Sequence, residues 1–153
     1  MDKNLMRALM QSARELAAEA KKDGDVPVGA VVADSSGKII GRGRNRRQKN
    51  GDPFSHAEIE AMKQAAETLK DWHLESCSLV VTLEPCPMCA GAAVSAHAGS
   101  IIFGAWDPKM GACGSVWDIP RDPHIGAKPQ VYGGICEKEM REMLEKYFEA
   151  QRF

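Results

Sequence analysis

Two short segments of this chain combine the side chains that a zinc ion prefers with a nearby carboxylate. The first reads His-Ala-Glu over residues 56–58, and the second reads Pro-Cys-Pro-Met-Cys over residues 85–89. Zinc takes nitrogen and sulfur ligands in a tetrahedral shell, and a catalytic zinc keeps its fourth position for water, whereas a structural zinc fills that position with protein. His56, Cys86 and Cys89 supply three ligands, so we predict a zinc site of the hydrolytic kind.

Both segments fall where a loop or a strand gives way to a helix. A helix begins with unpaired N–H groups and partial positive charge, which favour thiolates and lower their pKa. We therefore expect a fold in which two helix starts face each other, so that His56 on one and Cys86 and Cys89 on the other converge on one ion. The alternative, that the two cysteines are buried core thiols, is disfavoured by their spacing and by the flanking prolines.

Glu58 follows His56 with one residue between them, so its carboxylate can lie above a metal-bound water without ligating the ion. Zinc lowers the pKa of such a water from about 16 to near 7, which makes hydroxide available as a nucleophile. A carboxylate placed there can carry a proton to the substrate, which is typically worth ~10²–10⁴-fold in rate. We predict that Glu58 is this proton shuttle. A second interpretation stays open, because Ser55 and Glu58 have the spacing of a capping box.

Composition indicates the class of protein. The chain has 153 residues, of which 44% are hydrophobic and 27% charged, which suits one globular domain over residues 1–153. It has no apolar run of the ~18 residues that span a bilayer, and its N-terminus opens into an amphipathic pattern rather than a signal peptide. Cys77, Cys113 and Cys136 are therefore expected to be reduced thiols. We predict a cytoplasmic protein without membrane contact.

The net charge of the chain argues against a protein that binds nucleic acid non-specifically. The net charge is -1 and the isoelectric point is about 6.4, and non-specific affinity grows with the number of neutralised phosphates. A local basic run exists at residues 42–49, which hold four arginines and one lysine around Asn45. Such a run is either a solvated loop or a functional surface. Its position just upstream of the metal segment leaves both interpretations open.

Hydrophobic periodicity predicts helices that alternate with strands. Apolar residues at helical spacing indicate helices that end near residue 22, that run from the N-cap Ser55 to residue 69, and that span 88–97 and 137–150. Apolar runs indicate strands over 26–33, 38–43, 78–82 and 100–104. Loops are predicted over 45–53 and from the last of these strands through residue 118. This order predicts an α/β fold, a three-layer α/β/α sandwich with a mixed sheet that includes one hairpin.

The compound pattern His-x-Glu followed by Pro-Cys-x-x-Cys is the signature of zinc nucleobase deaminases. Over nearly its whole length the chain further resembles bacterial tRNA adenosine deaminases, within the cytidine and deoxycytidylate deaminase superfamily. The resemblance is carried by Val-Pro-Val-Gly-Ala-Val at 26–31, Gly-Arg-Asn-Arg at 43–46, Val-Thr-Leu-Glu-Pro-Cys at 81–86 and Phe-Gly-Ala-Trp-Asp-Pro-Lys at 103–109. The last segment distinguishes this branch from deaminases of free bases.

The resemblance implies a cytidine-deaminase-like fold with about five strands, one zinc ion per subunit and a homodimer. It implies hydrolytic deamination of adenosine to inosine at the wobble position of a tRNA anticodon loop, with zinc-bound hydroxide as the nucleophile and Glu58 as the proton shuttle. Asn45 would hydrogen-bond the flipped nucleoside and Val28 would line its pocket. The backbone around Ala57 and Glu84 would meet the base and its leaving amine.

The resemblance also implies contacts with neighbouring nucleotides. Asp107 would accept a ribose 2′-hydroxyl, a contact that separates RNA from DNA, and Phe148 would pack near the splayed loop. The chain departs from the family at residues 126–128, which read Gly-Ala-Lys where Asn-His-Arg is frequent. It also departs at its C-terminal end, where Arg152 is the one arginine of a segment often rich in arginine. These departures bear on RNA contacts and leave the catalytic groups in place.

Two alternatives belong beside this prediction. The first is a deaminase of a free base or nucleoside, of the guanine or cytosine type. The basic run and the segment over residues 103–115 favour the RNA branch over it. The second is a non-catalytic RNA-binding module stabilised by zinc, which would need a fourth protein ligand such as Cys113 and would leave Glu58 with a capping role only.

Overall fold

The computed structural model describes residues 1–151. Its strands are β1 (Gly29–Ala33), β2 (Ile39–Arg44), β3 (Ser78–Leu83), β4 (Ser100–Ala105) and β5 (Gln130–Tyr132). Its helices are α1 (Lys3–Lys22), α2 (Arg47–Asn50), α3 (Ala57–Leu69), α4 (Pro87–Ser95) and α5 (Glu137–Ala150), with a 3₁₀ turn at Ile119–Arg121. None of the helices within this part of the chain combines the length and the apolar character that a bilayer crossing needs. Arg152 lies outside the described residues.

The five strands form one mixed sheet in the order β2-β1-β3-β4-β5. β1 pairs antiparallel with both β2 and β3, and β3, β4 and β5 run parallel to one another. Parallel neighbours place their carboxyl ends at the same edge of a sheet. The segments that follow β3 and β4 therefore leave the sheet side by side, and these are the segments that contain Cys86 and Asp107.

Helices cover both faces of this sheet and make three layers. On one face α1 and α5 pack around Met10 and Met140. On the other face α3 and α4 pack around Ala61 and Phe103. The central strands β3 and β4 are buried on both faces, which explains why their sequences are continuous apolar runs. The predicted α/β/α sandwich with a mixed sheet of five strands is confirmed.

Two glycines fix the level at which α3 begins. A Cβ atom at Gly43 would overlap the carbonyl oxygen of Ala57, and one at Gly41 would overlap that of Ala61. Because neither glycine has a side chain, α3 lies directly on β2. This close approach holds the first turn of α3, with His56 before it, at the edge where β2 and β3 end.

β1 begins three residues later than the apolar run over 26–33 predicts. Pro27 has no N–H group to donate to a neighbouring strand. The N–H of Val28 bonds to the carbonyl of Val26 at 2.8 Å, and the carbonyl of Val28 accepts from the N–H of Asn45 at 3.0 Å. These residues form a tight bend that brings Val28 beside Asn45.

The predicted loop over residues 45–53 contains the short helix α2, which the sequence analysis missed. The buried carboxylate of Asp25 accepts hydrogen bonds from the N–H groups of Gln48 and Lys49 at 2.8 and 3.2 Å. These bonds satisfy donors that the first turn of a helix leaves unpaired. Four residues are too few to show a helical period of apolar residues, so the sequence pattern could not predict this helix.

The capping box predicted for Ser55 and Glu58 is wrong. α3 begins with His56 as its N-cap, and no side chain caps it. The Ser55 hydroxyl instead donates to the carboxylate of Glu60 at 2.9 Å. The N–H of Ser55 bonds to the carbonyl of Asp52, so the Glu58 carboxylate does not accept from it as a capping box would require.

Candidate functional site

The predicted metal ligands meet at the carboxyl edge of the sheet. His56 is the N-cap of α3, Cys86 is the N-cap of α4, and Cys89 lies in the first turn of α4. The His56 Nδ1 atom lies 3.7 Å from Cys86 Sγ and 3.4 Å from Cys89 Sγ. Two helix starts face each other as expected. Within residues 1–151 this is the one group of three or more His, Cys, Asp or Glu ligand atoms that could hold a metal ion.

The spacing of these atoms fits zinc. With zinc–sulfur and zinc–nitrogen distances of about 2.3 and 2.1 Å, a tetrahedral ion places a ligand nitrogen and a ligand sulfur about 3.6 Å apart. The two nitrogen–sulfur distances lie close to this value, at 3.7 and 3.4 Å. Neither Glu58 nor Cys113 belongs to the group. The protein therefore offers three donors, which leaves one position of a tetrahedral shell for another ligand.

Hydrogen bonding within the cluster makes Cys86 the more acidic thiol. Its hydrogen bonds with Cys89 and with His56 lower the pKa of Cys86 to about 4. The pKa of Cys89 is raised, first by its hydrogen bond to Cys86 and then by burial. The pKa of His56 is raised by its hydrogen bond with Cys86. A metal cation in place of the shared protons would hold both sulfurs as thiolates.

Glu58 lies beside the cluster in the first turn of α3 and is only 4% exposed. Burial raises the pKa of this carboxyl to about 7. A carboxyl with a pKa near neutrality can both accept and donate a proton at physiological pH. Glu58 lines the same cavity as His56 and Cys86. It can therefore exchange a proton with a molecule held next to the cluster.

A cavity of about 350 Å³ opens in front of the cluster, and its lining is mostly apolar. This volume is in the range of small-molecule sites. Five residues predicted to contact substrate line it: Val28, Asn45, Ala57, Glu84 and Asp107. Phe148 does not. It lies in a neighbouring groove of about 470 Å³, which Trp106 and Lys109 also line.

Asn45 holds its side chain at the cavity wall through two long contacts. Its amide nitrogen donates to the carbonyl of Val26 at 3.4 Å, and its amide oxygen accepts from the N–H of Arg47 at 3.3 Å. Both distances exceed the usual range for N–H···O bonds. A bound molecule can therefore compete for either end of this amide.

The Glu84 side chain has a role that the sequence analysis missed, since the resemblance implied only its backbone. This carboxylate is buried, and it accepts hydrogen bonds from the N–H groups of Asp107, Cys113 and Ser115 at 2.9, 3.0 and 3.0 Å. It also accepts from the Ser115 hydroxyl. One carboxylate thus fixes both ends of the loop that brings Asp107 to the cavity. The one feature of the sequence that could have indicated this role is the position of Glu84, an acidic residue between an apolar strand and the Pro-Cys turn.

The cavity rim includes further residues that the sequence analysis did not assign to substrate: Arg47, Pro53, Phe54, Met88 and Met110. Phe54 is 64% exposed. A large exposed aromatic ring at the mouth of a cavity offers a stacking surface to a planar ligand. Its one signal in the sequence was its position two residues before His56.

Comparison with known proteins places these residues in a family. Residues 3–105 match the model of the cytidine and deoxycytidylate deaminase zinc-binding region. The tRNA-specific adenosine deaminase of Bacillus subtilis is 38% identical over 143 residues, which cover 94% of this chain and 88% of that protein. The tRNA(Ile)-lysidine synthase of Deinococcus radiodurans is 47% identical over 94% of this chain, but the match spans only 24% of that longer protein.

Solved structures agree with the sequence relatives. A structure from work on A-to-I editing by deaminases at the wobble position of transfer RNA has a TM-score of 0.85 and 38% identity, and covers 90% of this chain and 99% of that chain. The guanine deaminase of Nitrosomonas europaea has a TM-score of 0.78 and 26% identity, over 92% and 83% of the two chains. This chain belongs to the bacterial tRNA-specific adenosine deaminases, a branch of the cytidine and deoxycytidylate deaminase zinc-binding family.

Proposed function

We propose that this chain deaminates adenosine to inosine at the wobble position of tRNA, with one zinc ion per subunit. The observation that carries the proposal is the three-donor cluster of His56, Cys86 and Cys89, which lies beside Glu58 at the end of a cavity. Three donors with no fourth protein ligand are the arrangement of a hydrolytic zinc site. The tRNA-specific adenosine deaminases of the same family supply the choice of substrate. Such a substrate would place the protein in the cytoplasm.

The reaction adds water to the purine and releases ammonia, so adenosine and water become inosine and ammonia. When bound, zinc supplies a water of lowered pKa. Glu58 would take one proton from the attacking water and deliver it to a ring nitrogen as the carbon–oxygen bond forms. It would then take the second proton from the new hydroxyl and pass it to the amine, which leaves as ammonia when the carbon–nitrogen bond breaks. The buried position of Glu58 in the wall of the cavity, next to the metal ligands, suits both the acceptance and the donation of a proton.

Recognition of the target nucleoside falls to the walls of the cavity. The Asn45 amide can hydrogen-bond the nucleoside, Val28 provides apolar contact, and the backbone of Ala57 and Glu84 faces the base. A base must leave its stack to enter such a cavity, and this step is least costly for an unpaired loop base. An anticodon loop offers bases of that kind.

Recognition of RNA falls to Asp107 and Phe148. Asp107 lines both the cavity and the neighbouring groove, where its carboxylate could accept a ribose 2′-hydroxyl. Phe148 is 49% exposed and lies in the same groove, within reach of the next part of the strand. A 2′-hydroxyl contact distinguishes RNA from DNA.

The same proposal includes a homodimer. α4 is apolar, and a Cβ on Gly91 would have no atom within 4 Å apart from its chain neighbours and the backbone of its own helix. Ala92, next to it, is only half-buried. A face of small apolar residues permits close packing of a second helix. Light scattering at micromolar concentration should give twice the mass of the chain, and a monomeric mass would exclude the dimer.

The main alternative is deamination of a free base, which the similarity to a guanine deaminase structure favours. The zinc-stabilised module without catalysis has less support, because Cys113 does not join the metal cluster. The test is inosine formation on an anticodon stem-loop, run beside guanine, cytosine, cytidine and adenosine as free substrates. Rapid inosine formation in the stem-loop with little release of ammonia from the others supports the proposal. If the protein deaminated guanine or cytosine but not the stem-loop, free-base deamination would replace tRNA deamination as the function.

A further inference from the structure

The basic run at residues 42–49 separates into neutralised and free charges. Three of its five cations form ion pairs, in which nitrogen–oxygen distances range from 2.7 to 3.3 Å. The pairs are Arg44 with Glu19 and Asp23, Arg46 with Glu60, and Lys49 with Asp23. Within residues 1–151 the remaining two, Arg42 and Arg47, have no carboxylate partner. Of these two, Arg47 lines the active-site cavity and Arg42 does not.

Arg47 lies at the boundary between two cavities. Its side chain lines the cavity in front of the metal cluster and also a second, polar cavity of about 820 Å³. Asn45 and Pro53 line both as well. The two cavities are therefore neighbours on either side of Arg47, so a strand whose target base enters the first could pass Arg47 and place its next nucleotide in the second.

The backbone of Arg47 is held in place from both sides. Its N–H donates to the Asn45 side chain, and the next two N–H groups bond to the buried carboxylate of Asp25. Three carboxylates line the second cavity, and each is already engaged. Asp25 accepts from backbone N–H groups, Asp52 accepts from the N–H of Phe54, and Asp23 pairs with Arg44 and Lys49. Within the described part of the chain, Arg47 is thus an exposed cation without a carboxylate partner, carried on a held turn of backbone beside the substrate cavity.

We propose that Arg47 binds the phosphodiester that joins the target nucleotide to its neighbour, whose sugar and base occupy the second cavity. A guanidinium matches the geometry of two phosphate oxygens and always carries its charge. Free bases and nucleosides have no such phosphate. Arg47 therefore favours a nucleotide within a strand over a free base in the same cavity. This inference rests on the proposed function, because it assumes an RNA substrate.

The test compares Arg47→Ala with Arg42→Ala, which removes the other unpaired arginine of the run at an exposed position outside both cavities. Arg47→Ala should lower kcat/KM on the anticodon stem-loop by about 10-fold to 100-fold, the range expected for a charge-assisted pair. It should also flatten the slope of log(kcat/KM) against log(salt) by about 0.7, as for one phosphate of a single strand. Arg42→Ala should leave both values unchanged, and both variants should keep wild-type melting temperature and zinc content.

A second test uses modified substrates. In each, an uncharged methylphosphonate replaces one of the two phosphates that flank the target nucleotide. At one of these positions the wild type should lose as much activity as Arg47→Ala loses on the normal substrate, and Arg47→Ala should lose nothing more. Equal further losses in both proteins, or equal effects of Arg47→Ala and Arg42→Ala, would overturn the inference while the proposed function stands. A wild type that is inactive on the stem-loop would overturn the proposed function and the inference with it.

Discussion

The two walls of the active-site cavity are built in different ways. The metal wall presents His56, Glu58 and Cys86 to the cavity and has the buried Cys89 behind them. All four lie on the first turns of α3 and α4 or directly before them. The loop wall consists of residues 107–115, which contain no helix or strand. The backbone of the loop wall donates three hydrogen bonds to the Glu84 carboxylate, which join both of its ends to one side chain.

This difference indicates that the metal wall carries out the reaction and that the loop wall contributes to substrate recognition. Helix geometry fixes the metal wall locally, because each helix start carries its ligands within four residues. The loop wall takes its shape from an anchor more than twenty residues away in the chain. Substitutions in the metal wall should therefore change zinc content or turnover, and substitutions that loosen the loop wall should change KM and substrate choice.

The largest effect is expected from Cys89→Ala, which tests whether the metal wall depends on all three donors. Loss of a thiolate leaves two protein ligands, too few for a stable zinc site. Zinc should fall from one ion per chain to a small fraction, and turnover should fall below detection. Elemental analysis and the stem-loop assay measure both. Cys77→Ala, which removes a buried cysteine outside the cluster, should keep zinc and activity, and equal behaviour of the two variants would contradict the assignment.

Glu84→Gln should give the next largest effect and tests the anchor of the loop wall. The amide keeps the size of the carboxylate but turns one acceptor into a donor that faces N–H groups. Stability should fall by about 1–3 kcal/mol, and KM on the stem-loop should rise about tenfold, the equivalent of ~1.4 kcal/mol, with zinc content unchanged. Hydrogen exchange at residues 107–115 should accelerate.

Ser115→Ala is the matched variant for the same anchor. It removes one donor of the set and keeps the three backbone donors, so it should cost about 1 kcal/mol and change KM less than Glu84→Gln does. If Glu84→Gln lowered turnover at unchanged KM, the division between the two walls would be wrong.

The smallest effect is expected from Asp25→Asn, at the turn that holds Asn45 and Arg47. The amide retains one acceptor for the N–H groups of Gln48 and Lys49, so stability should fall by about 1 kcal/mol. The kcat/KM value on the stem-loop should fall only a few-fold, as the turn loosens. Asp34→Asn weakens a similar turn between β1 and β2, remote from the cavity, and should leave kcat/KM unchanged.

Most of the fold and the metal wall could be predicted from sequence because their signals are local. Helices and strands with clear periods were predicted to within three residues of their observed ends. His56, Cys86 and Cys89 converge as predicted because each occupies or follows a helix start. The exceptions were also local: Pro27 shortened β1, and the Ser55 hydroxyl bonded to Glu60 rather than capping α3.

The loop wall and the second cavity could not be predicted, because their contacts join distant segments. Nothing near Glu84 shows that its carboxylate will receive donors from 23 to 31 residues later. The ion pairs that neutralise the basic run come from α1 and α3. Only the folded chain distinguishes Arg47 from the other arginines of that run.

Both walls serve one proposed step, in which Glu58 moves protons beside a zinc ion that it does not ligate. The most direct test is to measure zinc content and single-turnover rate together in Glu58→Gln, with Glu60→Gln from the same turn of α3 as the control. We expect one zinc per chain in both variants, a rate about 10²–10⁴-fold lower for Glu58→Gln, and a rate near wild type for Glu60→Gln. Wild-type turnover in Glu58→Gln, or loss of its zinc, would contradict this role of Glu58.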